Sequence, residues 1–480
     1  MKISRQQMLE ALVAILGNAA VLQETQDYQR YVSDWSGSRL GTPLAVVRPA
    51  DTEQVAAVVR FCAAHAIPMV PQGGHTGLVG GALPDHARPE LVISLERLNR
   101  VRQIDPVGFT IAVDAGCVLE HVKNAAEAAD CYFPLALGAQ GSCQIGGNIA
   151  TNAGGVNVLR YGMMREQVLG LEVVLPDGRI WNRMNALRKD NRGYALQQLF
   201  IGSEGTLGIV TGAVLKLSPR PQRTLTALLA VATVEDAVQL YTRARRECSD
   251  LLSAFELIPR IGMELAFEAN RQLPEPLSEP YPFYVLLELA VSGPVDLQDL
   301  FDGYLERSMS SGLVLDGTLA SSSEQARKLW LIREGMVEGQ RLRGEHLRTD
   351  ISVPISAIAA FVEQASQAVN EVSMRATILV YGHIGDGNLH FNILPPPELA
   401  HGAVIALLLQ IEEVIFAVLD RFDGSISAEH GIGRVKQQAY LFRMAPEDVQ
   451  LLKGLKALFD PLDLMNAGRI IPPQAQTAID

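Results

Sequence analysis

Cysteine is scarce in this chain. Cys62, Cys117, Cys131, Cys143 and Cys248 are odd in number and share no CxxC spacing. Neither a disulfide framework nor a zinc knuckle is therefore expected, and reduced thiols predict a cytoplasmic protein. Positive charge is also short. The 41 Lys and Arg against 53 Asp and Glu leave a net charge of −12, which argues against a nucleic-acid partner needing a basic face. An anionic substrate stays open, because local cations decide that. No consecutive apolar run approaches the ~20 residues that span a bilayer, so no transmembrane segment is expected. Lys2 and Arg5 precede the apolar stretch from Ala11 to Leu16, but Glu10 interrupts the layout of a signal peptide. An amphipathic first helix is expected instead. No Walker lysine motif, no GxGxxG fingerprint and no repeat of ~20–50 residues occurs.

The 480 residues are too many for one core, and the 48% hydrophobic and 20% charged content is that of a globular protein of two or more domains. Asp51 to His65 has helical apolar spacing after an Asp cap and before Pro68. Ile67 to Val70, Leu91 to Leu95, Thr110 to Val113, Leu171 to Leu175 and Ile209 to Leu217 read as strands, with a turn at Asp177-Gly178. Beyond Pro219 and Pro221 glycine thins out and helical patterns lengthen, while Leu273 to Pro282 holds four prolines and reads as an exposed loop. These shifts predict an N-terminal helical segment (1–38), a cofactor domain (39–219) and a catalytic domain (220–480). The last ~50 residues are expected to pack back on the cofactor domain.

What the chain does hold is glycine in clusters. Five glycines fall among the nine residues from Gly73 to Gly81, and seven fall between Pro134 and Gly162. Gly202-Ser203-Glu204-Gly205-Thr206-Leu207-Gly208-Ile209 forms a third cluster. Glycine lets backbone N–H groups approach a ligand closely and form concave anion sites, as a pyrophosphate requires. The three motifs in this order resemble the FAD domain of the vanillyl-alcohol oxidase and p-cresol methylhydroxylase (PCMH) family. Within that family, from Arg39 to Pro472, the chain resembles the D-2-hydroxyacid dehydrogenases. The resemblance implies an α+β fold: a two-subdomain FAD-binding domain of the PCMH type, with an α+β cap domain for the substrate. It also implies that FAD is held by Pro71, Gly73, Gly74, His75, Thr76, Gly77 and Gly80; by Gly138, Ser142, Gly146, Gly147, Thr151, Asn152 and Gly154; and by Glu204, Gly205 and Ile209. His75 stands in a Gly-Gly-His context like that of members that attach flavin covalently, so a covalent bond and a histidine that merely lines the site both stay open.

Tyr381-Gly382-His383-Ile384-Gly385-Asp386-Gly387-Asn388-Leu389-His390-Phe391-Asn392 lies between two apolar runs that read as strands. A four-residue loop from Gly385 to Asn388 would set His383 opposite His390 on one face of a hairpin, with Asn392 on that face as well. Ser427-Ala428-Glu429-His430-Gly431-Ile432-Gly433 adds a carboxylate and a third imidazole. Two His and one Glu suit zinc or a similar divalent ion with an open position; hydrogen-bonding core histidines are the alternative. The pattern resembles the metal-dependent D-2-hydroxyacid dehydrogenases, which implies His383, His390 and Glu429 as metal ligands and His430 as general base.

Ser323 reads as the cap of a helix to about Leu342, with Arg333 on the apolar stripe of Ala326, Leu329, Trp330, Met336 and Val337. Such an Arg wants an anion, either an acidic partner within the fold or a substrate carboxylate. The resemblance implies the second. It adds Arg348, where relatives commonly carry Lys, as another cation, and sets Asn392 and Val337 (commonly Thr) beside the substrate. Two cations exceed the need of one carboxylate, so D-2-hydroxyglutarate is the expected substrate, with D-malate, D-lactate or glycolate as alternatives. A non-redox FAD-dependent transferase is the rival of another class. The expected electron acceptor is an electron-transfer flavoprotein, a quinone or a cytochrome, and a homodimer is an open expectation.

Overall fold

The computed structural model describes residues 3–473. The described chain divides into two compact units. Among the described residues, one comprises 3–155, 162–220 and 429–473; the other comprises 156–161 and 221–428.

The first unit contains two separate sheets. The smaller has the order Val21–Leu22, Ala45–Val47, Leu91–Ser94, Met69–Gln72, with the last three strands parallel. The larger is antiparallel, in the order Val101–Asp105, Thr110–Asp114, Ile209–Lys216, Val168–Val174, Ile180–Asn182. The helix Thr52–His65 forms as its spacing predicts. Asp51 accepts from the Gln54 amide at its start, and Val55, Val58, Val59 and Cys62 are fully buried. All five cysteines are free and buried. The segment 464–466 bridges the free edge of Met69–Gln72: Met69 N donates to Leu464 O (2.7 Å) and Asn466 N to Met69 O (2.8 Å). Arg469 anchors the same segment. It is 0% exposed, and its NH1 and NH2 grip the Glu90 carboxylate at 2.6 and 3.0 Å.

The second unit is built on one antiparallel sheet of seven strands. Their order is Asp316–Leu319, Arg223–Val231, Phe283–Val291, Leu252–Pro259, Thr377–His383, Asn388–Leu394, Ile351–Ser352. Leu252–Pro259 is buried along its whole length, as a central strand covered on both faces must be. The helix Ser323–Leu342 packs on the helix Arg260–Ala269. Their approach is close at Gly339, where a Cβ would lie 2.2 Å from Leu265 O. Ser322, not Ser323, caps the longer helix by accepting from the Gln325 amide. The expectation of no spanning-length apolar segment also needs correction: the helix His401–Asp420 is long and apolar enough to cross a membrane by length and composition. Glu412 and Glu413 interrupt its apolar run in the sequence, which hid it from a count of consecutive residues. One face, including Val404, Ile411, Ile415 and Leu419, is buried against the unit, where it packs on the helix Ile358–Val372.

A polar knot in the first unit ties the Thr52 helix to the larger sheet. Glu172 accepts from Thr52 Oγ1 (2.7 Å), Arg102 NH2 (2.8 Å), Thr211 Oγ1 (3.0 Å) and Asn182 Nδ2 (2.9 Å). Burial alone would raise this carboxyl, but the hydrogen bonds from Arg102 and Thr52 outweigh it and hold it below the ordinary carboxylate value. A depressed pKa stabilises the fold above the unfolded value, and that contribution is lost as pH falls through the folded value. Glu172→Gln should therefore cost about 1–2 kcal/mol near neutral pH. The gap in denaturation midpoint from the parent protein should close as the pH falls below about 4. A gap that stays constant from neutral to acid would remove the charge from this account.

Candidate active site

Three loops of the first unit wall one cavity. Pro71, Gly73, Gly74, His75, Thr76 and Gly77 come from the end of the strand Met69–Gln72; Gly138, Gly146, Gly147, Thr151 and Gly154 come from the second glycine cluster; Glu204, Gly205 and Ile209 come from the third. The glycines serve two purposes. At Gly74 a Cβ would lie 2.0 Å from Ser142 O, so the first two loops touch backbone to backbone. At Gly77, Gly138 and Gly147 a Cβ would meet nothing within 4 Å. Three residues expected to touch cofactor do not line the cavity. Gly80 makes a turn at φ 67°, Ser142 offers its carbonyl side to Gly74, and Asn152, at φ 49°, accepts the Arg165 amide through Oδ1. Sequence reasoning missed Asp34, Gln72, Gln144, Asn148 and Asn466, which do line it. Gln72, Gln144 and Asn148 stand beside or within the glycine clusters, where the glycines drew the attention, whereas Asp34 and Asn466 lie far from them in sequence.

The cavity fits a large polar ligand such as FAD. Gln72 Oε1, His75 Nδ1, Gln144 Oε1, Asn148 Oδ1 and Asn466 Oδ1 are buried around it and lack a hydrogen-bond partner among the described residues. Buried polar atoms are normally satisfied, so such a cluster points to an absent partner. His75 holds a left-handed backbone at φ 61° and presents its ring edge-on to Tyr31 at 5.5 Å. Burial lowers its pKa, and the Arg30 charge lowers it further.

Glu429 and His430 line the same cavity. What holds them there is Glu204, whose two oxygens accept from Ile432 N (2.7 Å) and Gly433 N (2.8 Å). Burial pushes the Glu204 carboxyl up, and these two amides work against that. Gly431 and Gly433 take φ of 85° and 52°, and a Cβ on Gly433 would lie 2.2 Å from Val79 O. Glu204 is thus a clamp on the chain that follows His430.

In the second unit the hairpin register differs from expectation by two residues. His383 faces Asn388, His390 faces Tyr381, and the loop is Ile384–Gly387. A shift of two leaves every side chain on its face. The His383 and His390 rings still meet, with centroids 6.0 Å apart and ligand atoms within 4.8 Å. An Asp350 carboxylate oxygen also comes within 4.8 Å of a His390 ring nitrogen. Asp350 is buried and accepts from Asn388 Nδ2 (3.1 Å). The Ala428 amide donates to Asp350 O (3.3 Å), and Glu429 is the next residue in the chain.

The predicted carboxylate-binding residues fare differently. Arg333 is buried, but its Nε already donates to Glu256 Oε2 at 3.0 Å, and its guanidinium lies over the Tyr381 ring. Its two terminal nitrogens make no hydrogen bond among the described residues. Glu256 also meets His383 Nδ1, at 2.5 Å. Burial alone would raise the Glu256 carboxyl, but His383 and Arg333 outweigh that and hold it well below the ordinary range. Arg348 is exposed and Val337 half-buried. Of the two alternatives open for Arg333, an acidic partner within the fold is present, and Arg348 lies at the surface rather than in the core. Asn392 is 3% exposed, gives its amide to Gln340 Oε1 and the Tyr381 hydroxyl, and accepts the Thr349 amide. Its hydrogen bonds bind the fold internally. Glu256 and Asp350 went unread, although an acid inside the run Phe255-Glu256-Leu257 is a visible signal.

The FAD-linked oxidase C-terminal domain family matches residues 220–470, and an FAD-binding domain family matches residues 43–182. The D-2-hydroxyglutarate dehydrogenase of Xanthomonas citri pv. viticola is 40% identical over 447 residues, covering 93% of this chain and 93% of that protein. The mitochondrial D-2-hydroxyglutarate dehydrogenase of Danio rerio is 38% identical over 440 residues, covering 92% and 80%. Among solved structures, p-cresol methylhydroxylase with substrate bound superposes with a TM-score of 0.74 at 17% identity, covering 97% of each chain. That likeness establishes the α+β, PCMH-type fold. The chain belongs to the FAD-linked oxidase family of FAD-dependent oxidoreductases, in the group that contains the D-2-hydroxyglutarate dehydrogenases.

Proposed function

We propose that this protein oxidises D-2-hydroxyglutarate to 2-oxoglutarate with FAD and a divalent metal ion. The observation that carries this reading is a histidine, His430, lining the same cavity as the glycine loops. A base is thereby held beside the space for the redox group. FAD, when bound, supplies the acceptor for the hydride that leaves C2. His430 takes the proton from the substrate hydroxyl, so that C2 becomes a carbonyl carbon. His383, His390 and Glu429 would hold the ion, and two imidazoles with one carboxylate suit zinc. Its contribution when bound is to favour the ionised hydroxyl. The two free terminal nitrogens of Arg333 form a fork suited to a carboxylate, and Arg348 adds a cation for the second. Gly77, Gly138 and Gly147, where a Cβ would meet nothing within 4 Å, would leave room for the cofactor's phosphates to approach the backbone. Five buried free thiols support a reducing, cytoplasmic setting. The electron acceptor belongs to the class of electron-transfer flavoproteins, quinones or cytochromes.

A second reading, D-lactate or D-malate, is favoured by one observation. Arg348 is exposed, so no buried cation there demands a second carboxylate.

Turnover of a panel of D-2-hydroxy acids with an artificial acceptor decides between them. D-2-hydroxyglutarate should give the highest kcat/KM. Arg348→Met should lower that value by about 1–2 kcal/mol, with little change for D-lactate. Equal losses for both acids, or a parent preference for D-lactate, would sink the dicarboxylate reading. Chelation should abolish turnover while the flavin absorbance stays with the protein; full activity in a metal-free sample rules out the metal. Acid precipitation should release all flavin to the supernatant, and yellow colour retained in the washed pellet would instead mean a covalent bond at His75.

A further inference from the structure

We propose that Glu256 is a positioning residue that links the metal end of the site to its substrate-carboxylate end, by holding His383 in one tautomer and Arg333 in one orientation. This rests on the reading of His383 as a metal ligand and Arg333 as a substrate clamp.

Glu256 sits mid-strand in Leu252–Pro259, whose residues are all buried, and is itself 0% exposed. A carboxylate there is costly unless both oxygens are matched. Its matches are two side chains: Oε1 faces His383 Nδ1 at 2.5 Å, and Oε2 accepts from Arg333 Nε at 3.0 Å. Neither partner is a neighbour in sequence, the separations being 127 and 77 residues. A carboxylate that merely stabilised this strand would be as well served by backbone amides or hydroxyls, as Glu288 is on the next strand by Trp330, Thr226 and Ser253. Glu256 instead joins the two residues that the chemistry needs to hold still.

The consequence for each partner follows from donor and acceptor rules. A carboxylate only accepts, so His383 must carry its proton on Nδ1, which makes Nε2 the nitrogen able to offer a lone pair to an ion. On Arg333 the bond takes Nε and leaves the two terminal nitrogens as a pair. Glutamine at this position would keep the shape but could turn its NH2 toward Nδ1. The proton would then move to Nε2, and the ligand lone pair would be lost.

The test uses the flavin-loaded, chelator-stripped protein and zinc alone as the probe, with affinity read by competition against a chromophoric chelator. Glu256→Gln should bind zinc about 10–100-fold more weakly than the parent protein, with its flavin content unchanged. Its KM for D-2-hydroxyglutarate should also rise. Glu256→Asp should fall between the two. The 15N-histidine spectrum of the unmutated protein, with His383 assigned by its loss in His383→Asn, should show the Nδ1–H tautomer, and this measurement does not depend on a variant folding. Parent-like zinc affinity in Glu256→Gln, or an Nε2–H tautomer at His383, overturns the role of Glu256 and leaves the metal reading intact. A parent protein that binds no zinc and turns over after chelation overturns the metal reading first, and the Glu256 proposal with it.

Discussion

The two oxygens of Glu204 each accept one backbone amide, from Ile432 and from Gly433, and the shape of the glycine-walled cavity depends on that grip. The residues it joins are separated by 228 and 229 positions. The stretch that carries Glu429 and His430 is tied again just beyond, where Arg434 N and Val435 N donate to Val79 O. The grip is possible because Gly431 and Gly433 adopt positive φ, and because Gly433 passes within touching distance of the Val79 carbonyl. On the opposite wall Gly74 against Ser142 does the same work. The cavity is thus assembled by close backbone approaches, in which any side chain would intrude. Polar atoms around it, such as Asn148 Oδ1 and Gln144 Oε1, have no hydrogen-bond partner among the described residues.

The second unit solves a different problem, which is to put charge inside an apolar sheet. Seven strands and their covering helices bury long runs of Leu, Val and Ile, and three acids interrupt them. Glu256 is matched by a cation and an imidazole, Glu288 by neutral donors, and Asp350 in part by Asn388. The contrast shows in their ionisation. Two facing charged or chargeable groups depress the Glu256 carboxyl, whereas burial with neutral donors alone raises that of Glu288. Neutral donors cannot replace the hydration of a full charge, and an adjacent guanidinium can.

Local structure was largely legible. The Asp51 cap, the apolar stripe to His65 and the stop before Pro68 describe the helix Thr52–His65 that forms. The strands around Leu91, Thr110 and Ile209 stand where alternation and turn residues put them. The hairpin carrying His383 and His390 was legible in face but not in register, because a two-residue shift changes the loop and leaves the pleat unchanged. The helix His401–Asp420 was illegible to a search for uninterrupted apolar residues, since two glutamates lie in its middle.

The sequence by itself determined the family, the glycine loops and the histidines that share one sheet face, because each of these follows from residue type at short spacing. Tertiary structure alone decided the partners of the isolated charges and amides. Arg333 found Glu256, 77 residues away; Asn392 turned into the fold to Gln340, Tyr381 and Thr349; and Arg348 stayed exposed. A lone Arg or Asn carries only the demand for a hydrogen-bond partner. Which atom meets that demand is set by distances through space, and those exist only once the strands are paired.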